Sequence, residues 1–293
     1  MNDQPRLHQT SLDDVRRQLD AVDYLVDEGL SMALFLTRRL GQPLLLEGEP
    51  GVGKTAAAKA LAEALGTPLI RLQCYEGITA SEALYEWNHP RQLLAIRQAE
   101  SSGSAEADLY TEDYLLDRPL LKAVRHRGGV PSVLLIDEID RSDDEFEALL
   151  LEFLGESSVT IPEIGTFTAE QPPIVILTSN RSRELHDALK RRCYYHWIDY
   201  PSVERAAAIV RRRVPGADEQ LVQAATAFVS AARQLDLDKP PGLAEAIDWV
   251  SALQALGVNE LHRDVAKATA GSIAKTPDDL QTIGMALEQQ EAS

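Results

Sequence analysis

A chain of 293 residues is long enough for one large or two smaller hydrophobic cores, and 44% apolar residues exclude a disordered chain. Its 46 acidic against 29 basic residues give a net charge of -17, a field that repels phosphate backbones and counts against broad nucleic-acid binding. The two cysteines, Cys74 and Cys193, are far apart and in no Cys-x-x-Cys pattern, which excludes a disulfide framework and a thiolate zinc site. They read as reduced, largely buried thiols of a cytoplasmic protein.

At the N-terminus, MNDQPRLHQTSLDD has no basic segment leading into an apolar stretch, so no signal peptide is expected, and residues 1–19 read as an extension. No apolar run approaches ~18 residues, so no membrane insertion is expected. From there to about residue 199 short apolar runs alternate with helical stretches. Leu44–Glu47, Leu69–Leu72, Val133–Ile136, Ile174–Thr178 and Tyr194–Ile198 read as strands. Most are apolar throughout rather than alternating, as parallel strands covered on both faces should be. Thr55–Leu65 reads as a helix closed by Gly66, and Ser101-Ser102-Gly103-Ser104 as a short loop. After Pro201 the strands stop. Helices are expected from the Ser202 cap to Arg213, over Asp218–Leu235, Gly242–Leu256 and Asn259–Lys275, and from Thr276-Pro277-Asp278-Asp279 onward. The fold class that follows is α/β: a parallel sheet sandwiched by helices over residues 20–199, then a small all-α domain over 200–293.

Residues 44–55, LLLEGEPGVGKT, fill the G-x-x-x-x-G-K-[ST] pattern between an apolar strand and a helix. Gly48, Gly51 and Gly53 allow the tight turn, with Glu49, Pro50 and Val52 completing a loop whose N–H groups face phosphate oxygens. The helix starting near Lys54 adds its positive end. Lys54 is expected on the β- and γ-phosphates of a nucleoside triphosphate, and the Thr55 hydroxyl on Mg²⁺. ATP is favoured over GTP because no Asn/Thr-Lys-x-Asp stretch is present.

Asp137-Glu138 end the apolar run Val133–Ile136. Asp137 is expected to hold Mg²⁺ and Glu138 to deprotonate the attacking water. The acids that follow, Asp140, Asp143, Asp144, Glu145 and Glu147, read as a solvated helix N-terminus. Asn180, just past Ile174–Thr178, can donate to the γ-phosphate and accept from the lytic water. Arg191 and Arg192 precede the last strand. They admit two readings: an arginine reaching the γ-phosphate of a neighbouring subunit, or a cationic helix end complementing its dipole. Arg211-Arg212-Arg213 favours the second. The six histidines are scattered and are assigned no role.

This order of features resembles the AAA+ ATPases. The details resemble the MoxR branch and, within it, the CoxD-like proteins linked to maturation of carbon monoxide dehydrogenase and related molybdenum enzymes. The stretches that carry the likeness include RLQCYEG (71–77), LYEWNHPRQLLAIR (84–97), LLIDEIDRSDDEFEALLLEFL (134–154), IPEIGTF (161–167), TSNRSRELHDALKRRCYYHWIDYP (178–201) and KPPGLAEAIDWVSAL (239–253). The resemblance implies a helical lid, a homo-oligomeric ring (usually a hexamer) and active sites shared between subunits, with Arg191 or Arg192 acting in trans. It also implies an insertion within residues 78–118 and a hairpin within 156–173, both facing the pore or a protein client. The usual partner is a protein with a von Willebrand factor A domain. Where relatives often read Asp-Glu-Ile-Asn-Arg, this chain has Asp140 after Ile139. Where many carry a Ser-Pro-Arg lid sensor it has Pro240-Pro241-Gly242, with Lys239 as a candidate substitute cation.

The leading expectation is an ATP-hydrolysing maturation or remodelling factor. A nucleic-acid motor or loader is disfavoured by the charge, and a small-molecule kinase by the Asp-Glu pair. A nucleotide-gated adaptor with little hydrolysis is considered because of the altered lid sensor.

Overall fold

The computed structural model describes residues 11–102 and 108–289. In chain order its elements are α1 (Leu12–Asp20), α2 (Glu28–Leu40), β1 (Leu44–Gly48), α3 (Lys54–Leu65), β2 (Leu69–Gln73), α4 (Ala80–Ala83), β3 (Tyr85–Trp87), α5 (His89–Ser102), β4 (Leu115–Asp117), α6 (Pro119–Val124), β5 (Val133–Asp137), α7 (Asp144–Glu156), β6 (Ser158–Ile161), β7 (Gly165–Thr168), β8 (Ile174–Ser179), α8 (Asp187–Lys190) and β9 (Tyr194–Ile198). Five helices follow: α9 (Val203–Arg213), α10 (Glu219–Ala232), α11 (Leu243–Ala255), α12 (Arg263–Thr269) and α13 (Pro277–Gln289). The chain packs as two compact units. One holds the described residues up to Val22 with Val26–Glu47 and Thr55–Trp197; the other holds Asp23–Leu25, Gly48–Lys54 and the chain from Ile198 onward.

The first unit is built on a five-stranded sheet of order β2-β5-β8-β1-β9. Its β2–β5, β5–β8 and β1–β8 pairs are parallel. Every residue of β1, β5 and β8 is buried, as the all-apolar runs required. Alternate residues such as Leu134, Ile136, Val175 and Leu177 join a core with Phe146, Leu150 and Phe153 of α7. The β2–β5 register sets Arg71 beside Leu135 and Gln73 beside Asp137, so both β2 side chains lie on the strand face and end that carry the acids. Residues 158–168 form the expected antiparallel hairpin, and the insertion holds a second two-stranded sheet, Tyr85–Trp87 against Leu115–Asp117.

Three expectations change. The sequence reading placed no helix before Leu44, yet α1 and α2 lie there. Ser11 and Asp14 form a capping box on α1, and α2 starts at the Asp27 cap and ends at Gly41 with φ +67°. Ser101-Ser102 are the end of α5 and not a loop, while Gly103 and Ser104 lie outside the described residues. Asn259–Lys275 is not one helix: α12 covers only Arg263–Thr269, and a 3-10 turn over Ala270–Ser272 follows at Gly271.

The second unit is all-helical beyond Ile198, closed on Trp249, Val250, Leu253, Leu221, Val229 and Ile273. The Trp249 indole donates to Thr269 Oγ1 at 2.8 Å, which satisfies its one polar atom in the core. Ser202 and Asp218 cap α9 and α10 through their side chains. Buried Asp279 accepts from the backbone N–H groups of Asp238 (2.8 Å) and Lys239 (3.2 Å), which fixes the approach to Pro240-Pro241-Gly242.

Both cysteines are free and buried. Burial pushes the Cys193 thiol up to about 12. Burial, followed by the charges of Asp137, Asp140 and Glu138, does the same to Cys74. A rise of that size leaves about a thousandfold less thiolate at pH 8 than an ordinary cysteine has. Both thiols are therefore expected to resist iodoacetamide in the native protein at pH 8 and to react once it is unfolded in urea. Mass spectrometry of alkylated protein reads this directly, and fast native labelling of either cysteine would contradict its placement.

Candidate nucleotide site

The glycine-rich loop belongs to the second unit. A Cβ on Gly48 would lie 2.3 Å from the carbonyl oxygen of Ile198, so no other residue fits where β1 ends. Gly51 has φ +77°, in the left-handed region that glycine adopts without strain. Lys54 is buried, and its Nζ donates to the carbonyls of Gly48 (2.7 Å) and Glu49 (2.8 Å). Gly242 sits against this loop: a Cβ there would stand 3.1 Å from Pro50 O and 3.2 Å from Gly51 Cα. A Cβ there would need the loop backbone to give by a few tenths of an ångström. Glu245 accepts from the Gly242 N–H at 2.9 Å and starts α11. Lys239, the cation considered as a substitute sensor, has an exposed side chain and a backbone N–H tied to Asp279.

The first unit carries the acids. Asp137 is almost fully buried at the end of β5. Its Oδ1 accepts from Thr178 Oγ1 at 2.5 Å and from Thr55 Oγ1 at 3.0 Å. Its Oδ2 accepts from Arg71 Nη2 at 2.6 Å and Nε at 2.9 Å. A buried carboxylate is tolerable only when so satisfied. Glu138 follows with φ +56°, a strained conformation for a residue with a Cβ and one that gathers at functional sites. Its N–H donates to Thr178 Oγ1 at 2.9 Å. Its Oε2 accepts from Gln73 Nε2 at 3.1 Å and Arg141 Nη1 at 3.0 Å. Arg71 Nη2 also donates to Gln73 Oε1, which links the supports of the two acids.

Asn180 follows β8, and its N–H donates to Asp140 Oδ2 at 3.2 Å. The same oxygen accepts from Ser182 N (2.8 Å) and Ser182 Oγ (2.7 Å). Asp140 is thus buried and structural, which corrects its reading as part of a solvated helix end. Glu147 needs the same correction: it is buried, accepts from the His186 N–H at 2.9 Å and pairs with Arg183 at 2.5 Å. Asp143 does cap α7, and Asp144 and Glu145 are exposed as expected.

The hydrogen bonds bring together Thr55, Asp137 and, through Thr178, Glu138. Among the described residues, they do not bring Arg191 or Arg192 to that cluster. Both are exposed at the end of α8, and Arg192 Nη1 donates to the Leu151 carbonyl. Sequence reasoning assigned no role to Arg71, Gln73, Arg141 and Thr178. The only available signal was strand period, which puts residues 71 and 73 on one face of β2. The pairing of β2 with β5 is a long-range fact.

Thr55 and Asp137 suit Mg²⁺, a hard ion usually bound by one or two protein oxygens with substrate phosphates and water completing its shell. Among the described residues no group of three or more His, Cys, Asp or Glu could hold a metal ion alone. The arrangement can therefore carry a metal that arrives with a phosphate ligand.

The chain is 28% identical over 192 residues to the ATP-dependent zinc metalloprotease FtsH of Nitrosococcus oceani, covering 61% of this chain and 24% of that protein. It is 27% identical over 162 residues to the Lon protease of Halothermothrix orenii, covering 51% of this chain and 18% of that one. The chain thus spans under a quarter of either protease. Domain III of the replication initiation protein DnaA from Thermotoga maritima superposes with a TM-score of 0.50 at 14% identity, covering 87% of this chain and 96% of that one; this shows the fold alone. Residues 44–198 match the ATPase family associated with various cellular activities (AAA), and the chain belongs to that family.

Proposed function

We propose that this chain binds ATP with magnesium and hydrolyses it as a ring-forming, MoxR-type ATPase that remodels a partner protein. The observation that carries the nucleotide reading is the Thr55–Asp137 hydrogen bond at 3.0 Å, one residue along the chain from the P-loop lysine. Lys54 already has its ammonium among loop carbonyls, and phosphate oxygens are stronger acceptors for the same group. Magnesium, when bound, neutralises charge developing on the phosphates, and Thr55 and Asp137 are the residues that would hold it.

Glu138 is the general base. Its carboxylate is aimed by Gln73 and Arg141 and its backbone by Thr178, so a water beside it meets a fixed acceptor. Asn180 senses the γ-phosphate, with its backbone held by Asp140. We assign the transition-state cation to Arg191 or Arg192 of a neighbouring subunit. Their exposure, and the absence of a bond from either to the acids of their own chain among the described residues, support this.

For the wider role we read residues 20–199 as the nucleotide-binding domain and 200–293 as its lid. The assembly is a homo-oligomeric ring, usually a hexamer in this branch, acting in the cytoplasm. Its partner is a protein with a von Willebrand factor A domain, and its client a protein such as a molybdenum enzyme receiving its metal centre. The insertion and the hairpin at 158–168 are the client-facing elements. No helix among the described residues is long and apolar enough to cross a membrane. The -17 charge disfavours a nucleic-acid motor, which DNA-stimulated turnover would reveal. A nucleotide-gated adaptor is the other reading, favoured by Gly242 in place of a lid arginine, and a phosphate-release assay separates the two.

Glu138→Gln is expected to keep ATP binding and lower hydrolysis by about 10²–10⁴-fold, measured as phosphate release beside equilibrium nucleotide binding. Unchanged turnover in that variant rules out Glu138 as the base. Arg191→Ala and Arg192→Ala are expected to differ. The one that acts in trans should lose about 10³-fold or more in turnover and regain part of it when mixed with Lys54→Ala subunits. Failure of both mixtures to recover activity argues against a shared site.

A further inference from the structure

We propose that Arg71 is a positioning residue that competes with magnesium for Asp137, so that the guanidinium must leave the carboxylate before the metal can take it. The inference rests on reading Asp137 as a magnesium ligand. Both nitrogens on one side of the Arg71 fork donate to Asp137 Oδ2, at 2.6 and 2.9 Å. The other oxygen accepts from Thr178 and Thr55. The carboxylate therefore has its acceptor capacity largely used by this chain's own donors. An ion with its water shell needs those same lone pairs, and the guanidinium paired to them, itself a cation, repels it.

The exposure of the two partners shows which of them can move. The Asp137 side chain is 3% exposed and fixed in the sheet, whereas the Arg71 side chain is 47% exposed. Arginine cannot resolve the conflict by losing its proton. It can swing into solvent without leaving a buried charge behind, provided the metal replaces it on Asp137. Leaving costs Arg71 its bonds to Asp137 and its bond to Gln73, whose amide supports Glu138. Metal arrival is thereby linked to the residue that steadies the base. Arg71 is not needed to hold the P-loop: the Lys54 ammonium has its own acceptors there.

The test is a magnesium titration of full-length protein, read by binding of a fluorescent non-hydrolysable ATP analogue and, independently, by Mn²⁺ electron paramagnetic resonance with ADP. Arg71→Gln is expected to lower the half-saturating metal concentration about tenfold, because charged hydrogen bonds to Asp137 are removed. Its affinity for the analogue in EDTA is the baseline from which the metal-dependent gain of each variant is read. Arg71→Lys keeps a charge but not the fork and should fall between the two; it also serves if Arg71→Gln does not fold. Asp137→Asn should remove the metal-dependent part of binding. If it does so while both Arg71 variants keep or raise the wild-type metal requirement, the competition is overturned and the reading of Asp137 stands. If Asp137→Asn leaves the metal dependence unchanged, the reading of Asp137 fails and the inference fails with it.

Discussion

The buried carboxylate of Asp137 is the constraint on which the rest of the site depends. An ionised group at the end of a fully buried strand is costly unless it is paired and hydrogen-bonded. Here four donors arrive from three other elements: Thr55 from the start of α3, Thr178 from β8, and two nitrogens of Arg71 from β2. The sheet order β2-β5-β8 sets β5 between the two strands that supply three of them. Strand order and site electrostatics are therefore one requirement. A sheet with β5 at its edge would leave this acid half satisfied.

The same logic reaches the second acid. Thr178 bonds both the Asp137 side chain and the Glu138 backbone, so one hydroxyl fixes two consecutive residues. Holding Glu138 at φ +56° needs such over-determination, because a residue with a Cβ relaxes out of that region when it can. Its carboxylate lies beyond the strand, where Gln73 and Arg141 meet it. Asp140, three residues after Asp137, turns the other way and ties down the loop that carries Asn180. Three acids at and just beyond one strand end, Asp137, Glu138 and Asp140, thus organise three positions of the site. Within the acidic run that reads as a solvated helix end, Asp140 and Glu147 have separate buried tasks.

What was legible in the sequence was local. The five strands of the main sheet were each placed within one residue of their limits, because continuous apolar runs bounded by turn formers mark buried strands directly. The P-loop was legible because glycine, lysine and threonine spacing encodes its own backbone geometry. What escaped was pairing across distance. Arg71 and Asp137 are 66 residues apart, and no local pattern says that β2 lies beside β5. Asp140 and Glu147 misled for a related reason. Within an acidic segment they look solvated, and only their partners at Ser182 and Arg183, some forty residues on, bury them. The helices before Leu44 escaped because the apolar spacing of EGLSMALFLTRRL competes with its Ser and Thr, and packing decides.

A residue's absence can have a positive cause. The family resemblance leads one to expect a sensor arginine near Pro240-Pro241-Gly242, and its absence there by itself suggests a lost function. The geometry gives another account. Pro50 O and Gly51 Cα come so near Gly242 that a Cβ there would be in tight contact with backbone, which cannot shift as a flexible side chain can. At Gly51 a Cβ would meet the movable Glu245 Oε2 at 3.1 Å and Gly242 Cα at 3.4 Å, and its φ of +77° favours glycine there. Two glycines meeting backbone to backbone let α11 start directly against the phosphate loop, with Glu245 closing the junction on the Gly242 N–H. An arginine at 242 would need this contact opened first. A side chain at that position works against so close an approach of loop and helix, because the loop backbone would have to give by a few tenths of an ångström.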